Sequence, residues 1–141
     1  MIFIKFIYLL FQSALRIIDG LATKLPPSQV FPPLQSLIVQ YFTSPEPANR
    51  RGAILALGIC AEGCSEFMTP LMNDIWPIVE AGLIDPDVTV RRATCTTISC
   101  LCEWLEDLCA SKHAILLPVS FTVFLQAPCL IYGSLEHYEP H

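Results

Sequence analysis

The sequence overlies itself when shifted by 41 residues, and this constrains its fold more than any other feature. SPEPANRRGAILALGICAE, from Ser44 to Glu62, lies over DPDVTVRRATCTTISCLCE, from Asp85 to Glu103. Pro45 meets Pro86, Arg50 and Arg51 meet Arg91 and Arg92, Leu57 meets Ile98, and Glu62 meets Glu103. A turn, two arginines and a following helical segment recur in step. A period of this length corresponds to one helical hairpin, which cannot bury its apolar face alone and must stack on its neighbours.

Hydrophobic spacing and helix punctuation predict helices and no strands. ALRIIDGLATKL, residues near 14–25, reads as an amphipathic helix ended by Pro26 and Pro27. A second helix starts at about Ser28 and runs to Phe42, with Pro32 and Pro33 early, where missing N–H donors cost least. Pro47 opens a third helix to about Glu62, broken at Gly63. A fourth runs from about Glu66 to Gly82, kinked at Pro77, and a fifth from about Val88 to Leu108. The fourth helix carries Leu71, Ile75, Ile78, Val79 and Leu83, a face too wide to leave in water.

Composition narrows the classes. Of 141 residues, 53% are hydrophobic and only 15% charged, against about 25% charged on average, so the chain has faces that expect neighbours. A net charge of -5 with no basic block argues against nucleic-acid binding. The seven cysteines are odd in number and include no C-x-x-C pair. Cys95, Cys102 and Cys109 recur every seven residues on one helical stripe, which suits small apolar core residues better than a four-ligand metal site. Free thiols point to a reducing compartment. MIFIKFIYLLF at the start is short, is interrupted by Lys5 and lacks a small-residue cleavage site before Arg16, so it makes a poor signal peptide. Residues 114–132 carry no charge over nineteen positions, long enough to span a bilayer, but contain Pro118, Ser120, Thr122, Gln126 and Pro128. These residues argue against a membrane span, and a small membrane-associated helical protein is the least favoured reading.

LIDPDVTVRRATCTTIS resembles a HEAT-repeat hairpin. Asp85 opens the turn, Pro86 follows, Val90 and Arg91 start the second helix, and Pro77 kinks the first. GAILALG matches the small-residue part of that pattern, whereas Ser44 and Asn49 depart from it, standing where aspartate and valine are usual. ALRIIDGLATKLPPSQVFPPL, RRGAILALGICAEGCSEFM and VRRATCTTISCLCEWLEDL are similar to the importin-β (karyopherin-β) family of nuclear import receptors over roughly Ser13 to Pro118. The resemblance implies an all-α, right-handed α-α superhelix, a HEAT/ARM-like solenoid of antiparallel hairpins. It divides the chain into a divergent extension 1–13, a HEAT segment 14–118 with hairpins at about 28–63 and 66–109, and a divergent tail 119–141. At the repeat offset Gln126 faces Asp85 and Tyr132 faces Arg91, so the signature stops there. Family members are much longer, and the chain is expected to be a segment holding two full repeats and parts of two more.

Nothing in the sequence suggests catalysis. His113, His137 and His141 stand beside no nucleophile motif, and no phosphate-binding glycine loop occurs, so neither enzyme activity nor a cofactor is expected. Arg50 and Arg91 are expected to pair with turn acids of adjacent repeats, such as Asp85 or Glu46, rather than with an acidic partner; Arg51 is expected to face solvent. Gly52, Ala53, Ala56 and Gly58 are expected to let paired helices approach. The resemblance places Glu62, Glu103, Glu106 and Asp107 late on the second helices, which line a concave surface that receives basic cargo and the GTPase Ran. A plain solvated face is the alternative. Trp104 either stacks on a cargo cation or packs on the next hairpin. Phe31, Leu34, Ile75 and Ile78 either bind Phe-Gly nucleoporin repeats or fill the core.

Overall fold

The computed structural model describes residues 2–125. Its helices are α1 Ile2–Lys24, α2 Pro27–Phe42, α3 Pro47–Met68, α4 Met72–Leu83, α5 Val88–Trp104, α6 Glu106–Ser111 and α7 His113–Leu125. They form antiparallel hairpins: α2 packs on α3, and α4 on α5. The second helices α1, α3 and α5 form a layer of their own, in which α3 packs against both α1 and α5. One core runs through the stack, from Phe31 and Ile38 of α2 through Ile54, Leu57 and Cys60 of α3 to Val79 of α4 and Leu101 of α5. This is the all-α helical-repeat solenoid that the 41-residue period requires.

Local chemistry sets the helix boundaries. Pro27 and Pro47 stand in the first turns of α2 and α3, where a missing N–H donor costs little. Asp87 caps α5 by accepting a hydrogen bond from the Thr89 amide at 2.8 Å. Pro32 and Pro33 lie inside α2 and Pro77 inside α4, as expected.

Four expectations are corrected. The first helix begins at Ile2 and not near residue 14, because apolar spacing continues through IFIKFIYLLF. Gly63 does not end α3. The helix runs on to Met68, and a 3-10 turn at Thr69–Leu71 makes the corner, so the fourth helix starts at Met72 instead of Glu66. A Cβ on Gly63 would collide with the backbone carbonyl of Ala22; the glycine is there for the close crossing of α1 and α3. The fifth helix stops at Trp104, not Leu108, because Leu105 leaves helical geometry at φ -132 and ψ 47. The small residues also serve a different contact. A Cβ on Gly58 would lie 2.9 Å from Thr97 Cα, so this glycine admits the next repeat's second helix rather than its own hairpin partner. Thr97 closes that contact by donating to the Ile54 carbonyl at 2.6 Å.

Of the cysteines, Cys60, Cys64 and Cys109 are buried, Cys95 and Cys100 half-buried and Cys102 exposed, all as free thiols. Core filling therefore holds for part of the expected stripe, which the Leu105 break interrupts. Burial pushes the Cys60 thiol up, and burial together with neighbouring Cys102 pushes Cys109 up to about 12. Of the uncharged run 114–132, the described residues 114–125 lie in α7. Gln126, Cys129, Tyr132, His137 and His141 lie outside the described residues.

Candidate functional site

The loop between α4 and α5 carries the joint between repeats. Arg50 sits in the first turn of α3 and reaches along the stack to Asp85. Its Nε donates to Asp85 Oδ2 at 2.8 Å and its Nη2 to Oδ1 at 2.9 Å. Its Nη1 donates to the carbonyls of Ser44 and Pro45 at 3.0 and 2.9 Å, clamping its own turn. Asp85 Oδ1 also accepts the Asp87 amide at 2.9 Å. Burial alone would push the Asp85 carboxyl up, but the Arg50 hydrogen bonds, the Asp87 amide and the Arg50 charge together hold it below the usual carboxylate range. The Arg50 guanidinium is held more firmly protonated by the same bond. The bidentate geometry is the strong form of such a pair, and it ties the first turn of α3 to the turn after α4.

Arg91 repeats half of this arrangement. Its Nη1 donates to the carbonyls of Asp85 and Pro86 at 2.7 and 3.0 Å. Its Nε is buried and donates to nothing. The position equivalent to Asp85 one repeat on is Gln126, outside the described residues. An open cavity of about 550 Å³ lies beside Arg91, walled by Asp85 and Pro86 and by Val119 and Val123 of α7.

The layer of second helices holds the acidic candidates. Glu62, in the second half of α3, and Glu103 and Trp104 at the end of α5 line one groove of about 270 Å³ with Arg16 and Asp19 of α1. Three carboxylates and one guanidinium thus meet on a surface crossing three successive repeats. Trp104 is 43% exposed, and its ring is available to a ligand. Glu106 and Asp107 do not join this groove: the Leu105 break carries them onto the first turn of α6. There Glu106 lines a separate apolar groove with Cys109, His113 and Leu116, and Asp107 is exposed. Phe31 and Ile75 are buried in the core, and Leu34 and Ile78 pack against it half-buried.

A second groove on the same layer was missed by sequence reasoning. Arg51 is not a solvated residue; it is half-buried, with its guanidinium 5.0 Å from the centre of the Phe11 ring. It lines a groove of about 310 Å³ with Phe11, Leu55, Thr89, Arg92 and Thr96. The signal was present in the sequence, because Arg51 and Arg92 are equivalent in successive repeats. Their neighbours Arg50 and Arg91 obscured it. No group of three or more metal-binding side chains gathers among the described residues.

The HEAT-like repeat family matches residues 47–101 of this chain. A probable importin subunit beta-4 of Schizosaccharomyces pombe is 38% identical over 110 residues, covering 78% of this chain and 10% of that protein. Importin-4 of Homo sapiens is 26% identical over 116 residues, 82% of this chain and 11% of that protein. A transportin of Dictyostelium discoideum is 32% identical over 97 residues, 68% of this chain and 10% of that protein. The chain thus spans about a tenth of the length of these relatives. No solved structure matches it.

Proposed function

Because this chain belongs to the HEAT-repeat proteins of the importin-β family, we propose that it is a ligand-wrapping segment of a nuclear transport receptor, one that binds basic protein cargo and Ran-GTP and moves between cytoplasm and nucleus through the nuclear pore. The observation that carries this reading is the groove of Glu62, Glu103 and Trp104 with Asp19, drawn from three successive second helices. Carboxylates at this spacing attract lysine and arginine side chains and raise the rate of encounter with a basic segment. The exposed Trp104 ring adds a surface for the aliphatic stem or charged head of such a residue. No bond is made or broken in this function. It rests on shape and charge, and no cofactor takes part.

Within that reading, Glu62, Glu103 and Trp104 are the cargo-facing residues, and Glu106 and Asp107 contribute to the field from the neighbouring turn. Phe-Gly nucleoporin segments would dock on the first-helix side, where Leu37, Val39 and Tyr41 of α2 are exposed. Fluorescence anisotropy with a labelled Lys/Arg-rich peptide tests the proposal, with and without Ran-GTP. Saturable binding that weakens in Glu62→Gln/Glu103→Gln and is displaced by Ran-GTP is expected. A peptide that binds the variant as well as the parent, or one that ignores Ran-GTP, would point to a HEAT scaffold outside transport.

A further inference from the structure

We propose that the groove of Arg51 and Arg92 is a second ligand site, which takes the carboxylate side chains of an acidic stretch in the same bound chain. The face would then read a ligand whose acidic and basic residues are separated by a fixed distance. This rests on the reading that the α1–α3–α5 layer is the ligand face, and it adds a site of opposite charge to it.

Three observations carry it. Arg51 and Arg92 both line the groove half-buried, and their inner Nε atoms have no partner among the described residues, so neither guanidinium is neutralised from within the fold. Among the described residues no acidic side chain lines the groove, and the one ion pair, Arg50 to Asp85, lies elsewhere. Two guanidinium groups from adjacent helices therefore share a groove with no counter-charge. Phe11 also lies against the Arg51 guanidinium, which restricts its plane and lowers the entropy lost when a carboxylate docks on its fork.

The spacing gives the chemistry of the ligand. Arg51 and Glu62 are eleven residues apart on α3, and Arg92 and Glu103 are eleven apart on α5. Eleven residues return a helix to within about 20° of the same face and advance it by roughly 16 Å. Leu55, Gly58 and Ile59 on α3, with Thr96 and Cys100 on α5, line the two grooves between these ends. The layer thus presents two parallel stripes, each positive near the helix start and negative eleven residues further on. An extended chain covers roughly 16 Å in about five residues. A polyanion such as nucleic acid suits the surface poorly, because its phosphates would run into Glu62, Glu103 and Asp19.

Anisotropy with the intact 141-residue chain and four labelled peptides tests the proposal. One is basic only, one is glutamate only, one has two glutamates five residues from the basic cluster, and one has them directly beside it. At low salt the five-residue spacing should bind about tenfold tighter than the basic peptide, the scale of one or two charge-assisted hydrogen bonds. The adjacent arrangement should bind no tighter than the basic peptide. Arg51→Gln/Arg92→Gln should abolish the gain and leave the basic peptide's affinity unchanged. Should that variant melt early, Arg92→Glu replaces it and is expected to prefer a peptide whose glutamates are changed to lysine. A gain that survives loss of both arginines, or no gain at all, would overturn the second site while leaving the cargo reading intact. Binding of a glutamate-only peptide that needs both arginines, with no binding of the basic peptide, would sustain the site and remove the cargo reading. Displacement of the glutamate peptide by inorganic phosphate at equal concentration would overturn the carboxylate assignment.

Discussion

Arg50 and Arg91 occupy the same place in successive repeats, yet among the described residues only Arg50 bonds to a side chain of the next turn. Both clamp their own turn through two backbone carbonyls. Arg50 adds a two-pronged bond to Asp85 in the next turn, whereas Arg91 leaves its Nε buried and unused. On the other side, Ser44 stands at the position of Asp85. Its hydroxyl accepts the Glu46 amide at 3.2 Å, as the Asp85 carboxylate accepts the Asp87 amide at 2.9 Å. Serine keeps the turn and drops the charge, and the residue one repeat before Arg50 is Leu9, which is 62% exposed. The turn and the inter-repeat bond are thus separable. Both described turns supply an oxygen acceptor, and the one with a cation one repeat upstream supplies it as a carboxylate.

The largest expected break is Asp85→Ala, which removes the inter-repeat bond and the acceptor of the Asp87 amide together. The loss should be about 2–3 kcal/mol, seen as a lower denaturation midpoint. Its pH counterpart follows from the depressed carboxyl. Asp85 contributes fully above the unfolded carboxylate value of about 3.9 and loses that contribution as pH falls through its lower folded value. Thermal melts should therefore show an acid limb below about pH 4 that is weaker in Asp85→Asn.

Arg50→Ala should come next, lowering the melting temperature more than Arg91→Ala does. Arg91→Ala costs about 1 kcal/mol, the worth of its carbonyl clamp. Equal losses would mean that the carboxylate adds nothing to the joint. The smallest effect belongs to Leu9→Arg with Ser44→Asp, which writes a new rung at the first turn. A double-mutant cycle should return a coupling of about 0.5–1 kcal/mol; zero coupling would show that the offset alone does not bring those positions into reach.

Much of the fold was legible because it lies in turn chemistry and a fixed offset. Pro45 and Pro86, with the arginines that follow them, place the repeat without any long-range knowledge. What failed depended on tertiary contact. Gly63 carries two opposite meanings, helix end or close crossing, and only the Ala22 backbone beside it decides between them. Leu105 breaks a helix with no glycine or proline to announce it, so Glu106 and Asp107 were assigned to a stripe they do not join. Glu62 and Glu103 are equivalent at the 41-residue offset, and with Trp104 they line one groove. Asp19, on α1, has no such repeat partner in the sequence reading, and only the packing of α1 on α3 brings it to the same groove.

The central claim is that the arginine joint holds the solenoid together while the ends of the second helices meet the ligand. Measuring the melting temperature and basic-peptide affinity of Arg50→Ala and of Glu62→Gln/Glu103→Gln side by side tests it most directly. The account predicts a crossed result: the first variant melts earlier and, below its transition, binds as the parent does, while the second melts as the parent does and binds weakly. Loss of affinity in a folded Arg50→Ala, or unchanged affinity in the double glutamine variant, would contradict it.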